Sequence, residues 1–246
     1  MDRQRIQLQP AYLLHQRPYG DTGALLEAFS HDYGRVGVIA KGIRSGRSRR
    51  QAVLQSFAEL LLSWVTRGEL ATLTDVEALE TPRELKGTRL ISGFYLNELL
   101  IRLLRRDDPH PELFEDYRWA VNGLAAGAEE APLLRVFEKR LLERLGYGLQ
   151  LELDILGDAI DPDASYRYRP EEGAELVIGQ EPAAAVSGRA LLALAHESDD
   201  LSVHERALRR ITRAALAPHL GPQPLRSREL YLQFRHPPSG GVHDQA

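Results

Sequence analysis

Arg35-Val-Gly-Val-Ile-Ala-Lys-Gly-Ile-Arg-Ser-Gly-Arg-Ser-Arg-Arg50 opens as a strand and ends as a basic loop. In the first half Val36, Val38 and Ala40 point one way and Arg35, Gly37 and Lys41 the other, as a half-buried strand requires. Ile39 falls on the basic face and breaks the pattern. In the second half glycines and serines space the cations, so no bulky side chain blocks close approach. Six Lys/Arg and no acid lie between Asp32 and Glu59, in a chain of formal charge −4. Such a loop suits a phosphate backbone; a solvated loop with surplus charge is the plainer reading. The candidate nucleic-acid contacts are Arg35, Lys41, Arg44, Arg47, Arg49 and Arg50. Tyr33, just ahead of the strand, is the aromatic best placed to stack a base.

The same alternation runs outward from this strand. Leu8–Gln16, Thr22–Phe29, Leu54–Val65 and Glu69–Val76 read as its companions, separated by turn signals at Pro18-Tyr-Gly-Asp21, Asp32-Tyr-Gly34 and Arg67-Gly68. Five short strands with no long helix predict a small closed barrel over residues 1–80. Trp64 shares a face with Leu60 and Leu62 and belongs to its core. Tyr12 and Phe29 are expected to pack as well; Phe57 lies on the opposite face and is left open.

After Thr81-Pro82 the period changes. Leu90–Leu104 is apolar almost all round, the mark of a buried helix. Glu112–Leu124 and Pro132–Leu145 follow as helices, the second with a seam of Leu134, Phe137, Leu141 and Leu145. Residues 149–182 are irregular, with a strand pair at Ser165–Arg169 and Leu176–Ile178. Helices at Gly188–His196, Val203–Leu216 and Leu225–Phe234 complete a domain over 81–236. Residues 237–246 are expected to be a disordered tail. The fold class is α+β.

Composition closes several routes. The chain has no cysteine, which excludes disulfides, thiol nucleophiles and thiolate zinc. No stretch approaches the apolar length of a membrane span, and the first residues lack a secretory pattern. A cytoplasmic protein is expected. The eight histidines form no zinc arrangement. Asp161-Pro-Asp163 reads as an Asx turn rather than a metal site. Gly42-Ile-Arg-Ser-Gly46 lacks the Gly-Lys-Ser/Thr ending of a P-loop. No catalytic site is visible, and neither an enzyme nor a cofactor is expected. Residues 1–80 carry +1 and the remainder −5, so any nucleic-acid surface should be local.

Several motifs, in order, resemble the bacterial recombination mediator family RecO. They are Leu14-His-Gln-Arg-Pro18, Gly34-Arg-Val-Gly-Val-Ile-Ala-Lys-Gly42, Phe94-Tyr-Leu-Asn-Glu-Leu-Leu100, Phe137-Glu-Lys-Arg-Leu-Leu142, Leu145-Gly-Tyr-Gly148, Tyr166-Arg-Tyr168 and Leu225-Arg-Ser-Arg-Glu-Leu230. The resemblance implies an N-terminal OB-fold barrel and a C-terminal helical domain. It implies binding of single- and double-stranded DNA, strand annealing, and work beside the nucleoid. It further implies a complex with RecR that loads RecA onto DNA coated by single-strand binding protein (SSB), and leaves open whether RecF takes part. The helical domain would receive the acidic C-terminal tail of SSB, with Arg135, or else Arg140, as the cation for its carboxylate. Many members carry a four-cysteine zinc site after Gly-Tyr-Gly. Here that stretch reads Leu153-Asp-Ile-Leu-Gly-Asp-Ala-Ile160, so no zinc is expected and the insert should rest on packing and hydrogen bonds. An OB-fold RNA-binding protein and a non-catalytic scaffold are the competing classes.

Overall fold

Strand β1 (Gln4–Tyr19) is long enough to serve two neighbours, and bulges between Ile6 and Gln9 and between Leu13 and His15 let it bend between them. It pairs antiparallel with β2 (Gly23–Ser30) on one side and β4 (Glu59–Arg67) on the other. β3 (Gly34–Ala40) follows β2, and β5 (Leu70–Ala78) follows β4. A short parallel pairing, Val38 to Ala71 and Ile39 to Thr72, closes the barrel in the order β1-β2-β3-β5-β4. This is the five-stranded OB-fold arrangement. The computed structural model describes residues 4–44, 49–67, 70–79, 84–179 and 184–235. Arg47, the Arg49 side chain and the tail 237–246 lie outside them.

Val36, Val38 and Ala40 fill the barrel with Leu13, Leu26, Leu60, Leu62 and Trp64, as the alternation requires. The expected strand over Leu54–Val65 begins only at Glu59. Its first residues instead follow a short helix, α1 (Arg49–Val53), whose Val53 packs with Leu54 and Ala58 against the barrel core. Phe57 turns through φ 67° and packs its ring, tilted, against Phe94 at 5.4 Å, so it serves the contact between the two domains.

The helices are α2 (Thr88–Leu103), α3 (Pro111–Ala126), α4 (Glu130–Arg144), α5 (Gly188–His196), α6 (Glu205–Leu220) and α7 (Arg226–Arg235). β1 and β2 contribute Tyr12, Leu14 and Phe29 to the core of α2, α3 and α4, so barrel and helices share one apolar cluster. Asn97 of α2 spans the join: its amide donates to the Leu14 carbonyl at 2.9 Å, and its oxygen accepts from the Tyr117 hydroxyl. Glu98, beside it, accepts from the Arg226 and Ser227 amides and the Ser227 hydroxyl, which docks α7.

The insert forms a three-stranded sheet of β7 (Gly173–Leu176), β6 (Ser165–Arg169) and β8 (Val186–Ser187). Leu151, Ile160, Tyr166 and Ala174 pack it onto α5 and α6. Within the stretch 153–160 Asp154 closes a turn, accepting from the Leu156 and Asp158 amides. With no cysteine in the chain, these residues do not fit a thiolate zinc site.

Candidate nucleic-acid interface

The turn after β3 is built to expose cations. Gly42 takes φ 67°, where a side chain is disfavoured, and lets the chain reverse. Ile43 plugs the barrel core, and the Arg44 amide donates to the Thr22 carbonyl at 2.8 Å. Lys41 and Arg44 on either side of that plug are exposed, with no carboxylate partner among the described residues.

The other expected contacts are placed differently. Arg50 donates to the Thr74 carbonyl at 2.7 Å and fastens α1 to β5. Arg35 is half-buried at the far end of β3, 3.6 Å from Glu27. Tyr33 is also at that far end, edge-on to Trp64 at 5.4 Å and packed against the barrel core. It is therefore not a free stacking surface beside Lys41. The aromatic at the right end is Tyr19. It pairs with Gly23 at the end of β1, next to the Ala24–Ala40 pair, and it is exposed. Arg17 is exposed on the same stretch of β1. The sequence offered a signal, since Tyr19 stands in the turn Pro18-Tyr-Gly-Asp21, but only the register brings that turn beside Lys41.

The helical domain holds two further surprises. Arg135 is turned inward, only 6% exposed, and donates to Glu138 at 2.8 Å and Thr212 at 3.4 Å. The residue expected to meet a tail carboxylate is thus already paired with a carboxylate of its own helix. The reason is that α4 is buried on two faces: Phe137 and Leu141 join the core shared with the barrel, while Val136 joins the core beneath the insert. Tyr95 donates to the same Glu138 at 2.6 Å, and burial followed by that carboxylate pushes its phenol well above its ordinary value. Arg140 does reach the surface. It lies over the exposed Trp119 ring at 4.5 Å and pairs with Asp116 at 3.1 Å and with Glu197. The hydrogen bonds it donates to Glu197, against the cost of burial, hold its guanidinium above its ordinary value.

A second basic surface escaped the sequence reading. Arg206, Arg209, Arg210 and Arg213 recur at helical spacing on the exposed face of α6, opposite the buried Leu208, Ile211 and Ala215. With Ala214 and Ala217 they line a concavity of about 450 Å³. Arg210 is tied to the Ala184 and Ala185 carbonyls, at 2.6 and 3.0 Å. The other three have no carboxylate within ion-pair distance among the described residues. The signal was present in Arg206-Ala-Leu-Arg-Arg-Ile-Thr-Arg213, had its period been read for charge as well as for apolar residues.

Two family models cover nearly the whole chain. Recombination protein O N terminal matches residues 5–82 and Recombination protein O C terminal matches residues 85–229. The chain belongs to the RecO family of DNA repair proteins. Among RecO relatives, the DNA repair protein of Methylococcus capsulatus is 48% identical, over 94% of this chain and 95% of its own. That of Alkalilimnicola ehrlichii is 45% identical over 97% and 96%. That of Pseudomonas aeruginosa is 44% identical over 94% and 97%. Among the described residues no group of His, Asp or Glu is arranged to hold a metal. The Asp163 amide donates to Asp161 at 2.9 Å, the Asx turn read from the sequence. No helix of the described residues is long and apolar enough to cross a membrane.

Proposed function

We propose that this RecO protein binds single- and double-stranded DNA without base readout, anneals complementary strands and, with RecR, helps load RecA onto SSB-coated DNA. The observation that carries the DNA reading is the Lys41–Arg44 turn, whose two cations face solvent while the buried Ile43 pins them in place. Lys41, Arg44 and Arg17 would neutralise phosphates, Tyr19 would stack a base, and Arg47 and Arg49 would extend the same basic run. Annealing needs two strands held with their charge screened. The α6 arginines offer a second surface for that, and arginine forks suit phosphate oxygens. No acid, base, metal or nucleotide is required.

The salt dependence of oligodeoxythymidylate binding tests this. Each lost phosphate contact reduces the single-strand slope by about 0.7, so Lys41→Gln with Arg44→Gln should reduce it by about 1.4. An unchanged slope would remove the turn from the site. Stronger binding of structured RNA than of single-stranded DNA at equal salt would favour the RNA-binding reading.

For the SSB tail, the proposal rests on Arg140 beside Trp119, which offer a cation and an apolar ring together. Arg135, buried against Glu138 and Thr212, would have to exchange the Glu138 carboxylate for that of the tail. Arg140→Ala should weaken binding of an acidic tail peptide with a C-terminal apolar residue, and wild-type affinity would reject the site.

A further inference from the structure

The face of β3 turned away from the barrel core carries Arg35, Gly37 and Ile39, and the same row continues to Lys41 just past the strand's end, on the order of 20 Å at strand spacing. At the Arg35 end the chain that follows α2 folds back against the strand. The Asp107 amide donates to the Arg35 carbonyl at 3.0 Å. Gly34 leaves room for the Asp108 carbonyl, and a side-chain carbon on Gly37 would press on the Arg106 guanidinium. Arg106 thus lies across β3 and reaches Glu27 on β2, whose Oε1 it pairs with. The other oxygen of Glu27 lies 3.6 Å from Arg35. Glu27 and Arg35 are 15% and 18% exposed, while Arg106 is 37% exposed. Burial draws the Arg35 guanidinium below its ordinary value; Glu27 opposes that shift and Arg106 adds to it.

Two guanidiniums therefore share one carboxylate, leaving a surplus positive charge at a half-buried place. The buried Arg35 Nε has no hydrogen-bond acceptor. Surplus charge of this kind is costly until an anion completes it. We propose that Arg35 and Arg106 form a phosphodiester subsite, with Glu27 holding the two guanidiniums in place and competing with the phosphate for them. The subsite rests on the DNA-binding reading above and extends it: one strand would run along β3 from Lys41 to a contact supplied by the chain leaving α2. An acidic protein segment is the other ligand such a pair attracts. The shared row with Lys41, whose cations repeat along an extended strand as phosphates repeat along a backbone, favours the nucleic acid.

The test compares wild type, Glu27→Gln, Arg106→Gln and Lys41→Gln/Arg44→Gln in binding a fluorescent oligodeoxythymidylate across a salt series. Removing the competitor should tighten binding in Glu27→Gln. Arg106→Gln should weaken it and lower the slope by about 0.7. The Asp107–Arg35 backbone bond does not need the Arg106 side chain, so that variant should keep the docked segment. Wild-type binding in Arg106→Gln, or weaker binding in Glu27→Gln, would overturn the subsite while the Lys41/Arg44 effect kept the DNA reading intact. Loss of polyglutamate binding with DNA affinity preserved in Arg106→Gln would overturn it in favour of an acidic protein. A wild-type chain that bound no DNA would overturn both.

Discussion

Asn97 is the side chain on which the join between barrel and helices turns. It is 2% exposed, and both ends of its amide are used, one on a β1 carbonyl and one on the Tyr117 hydroxyl of α3. Asn97→Ala would strand both of those buried groups and should cost about 3 kcal/mol, read as a fall in the urea midpoint. Asn97 was visible in the sequence only as part of Phe94-Tyr-Leu-Asn-Glu-Leu-Leu100, because a polar residue in an apolar helix does not announce its partner. Arg135 shows the same limit. Its position off the apolar seam of its helix reads as surface, yet Thr212, 77 residues away, closes over it. Tyr33 and Tyr19 make the complementary point, since both are turn tyrosines by sequence and only strand register says which one stands beside Lys41.

At the scale of elements, the barrel was legible because a half-buried strand must alternate, and Val36, Val38 and Ala40 do. The chain over 54–58 was not legible. It is as apolar as a strand but serves to cap the barrel through Leu54 and Ala58. The last helix hangs on Glu98. Burial raises its carboxyl pKa, but hydrogen bonds from Ser227 and Arg226 and the charge of Arg102 outweigh this and hold it below the ordinary carboxylate value. A depressed carboxyl stabilises fully above its unfolded pKa, about 4.3, and that contribution is lost as pH falls through the lower folded value. Amide hydrogen exchange across Arg226–Arg235 should therefore accelerate, relative to the rest of the fold, as pH falls below about 4. Glu98→Gln should loosen α7 at neutral pH and abolish that added acid sensitivity. Equal protection in the variant and the wild type at pH 7 would show that apolar packing alone holds α7.

At the scale of the whole molecule, a chain of net charge −4 presents, among its described residues, basic surfaces at the turn after β3 and on the exposed face of α6. An acidic body with local basic surfaces should bind nucleic acid weakly elsewhere and lose affinity steeply with salt. If each surface holds one strand, they should separate in experiment. Arg206→Gln with Arg213→Gln should slow annealing at least as much as it weakens binding of one strand, because a strand can still sit on the barrel. The measurement that bears most directly on the proposed annealing is the joining of two complementary fluorescent oligonucleotides. It is followed in chelator without nucleotide, across a salt series, with wild type and both sets of variants. We expect wild type to accelerate annealing, salt to erode the gain, and each set of variants to reduce it. A folded wild-type protein that failed to accelerate annealing at low salt would contradict the proposal.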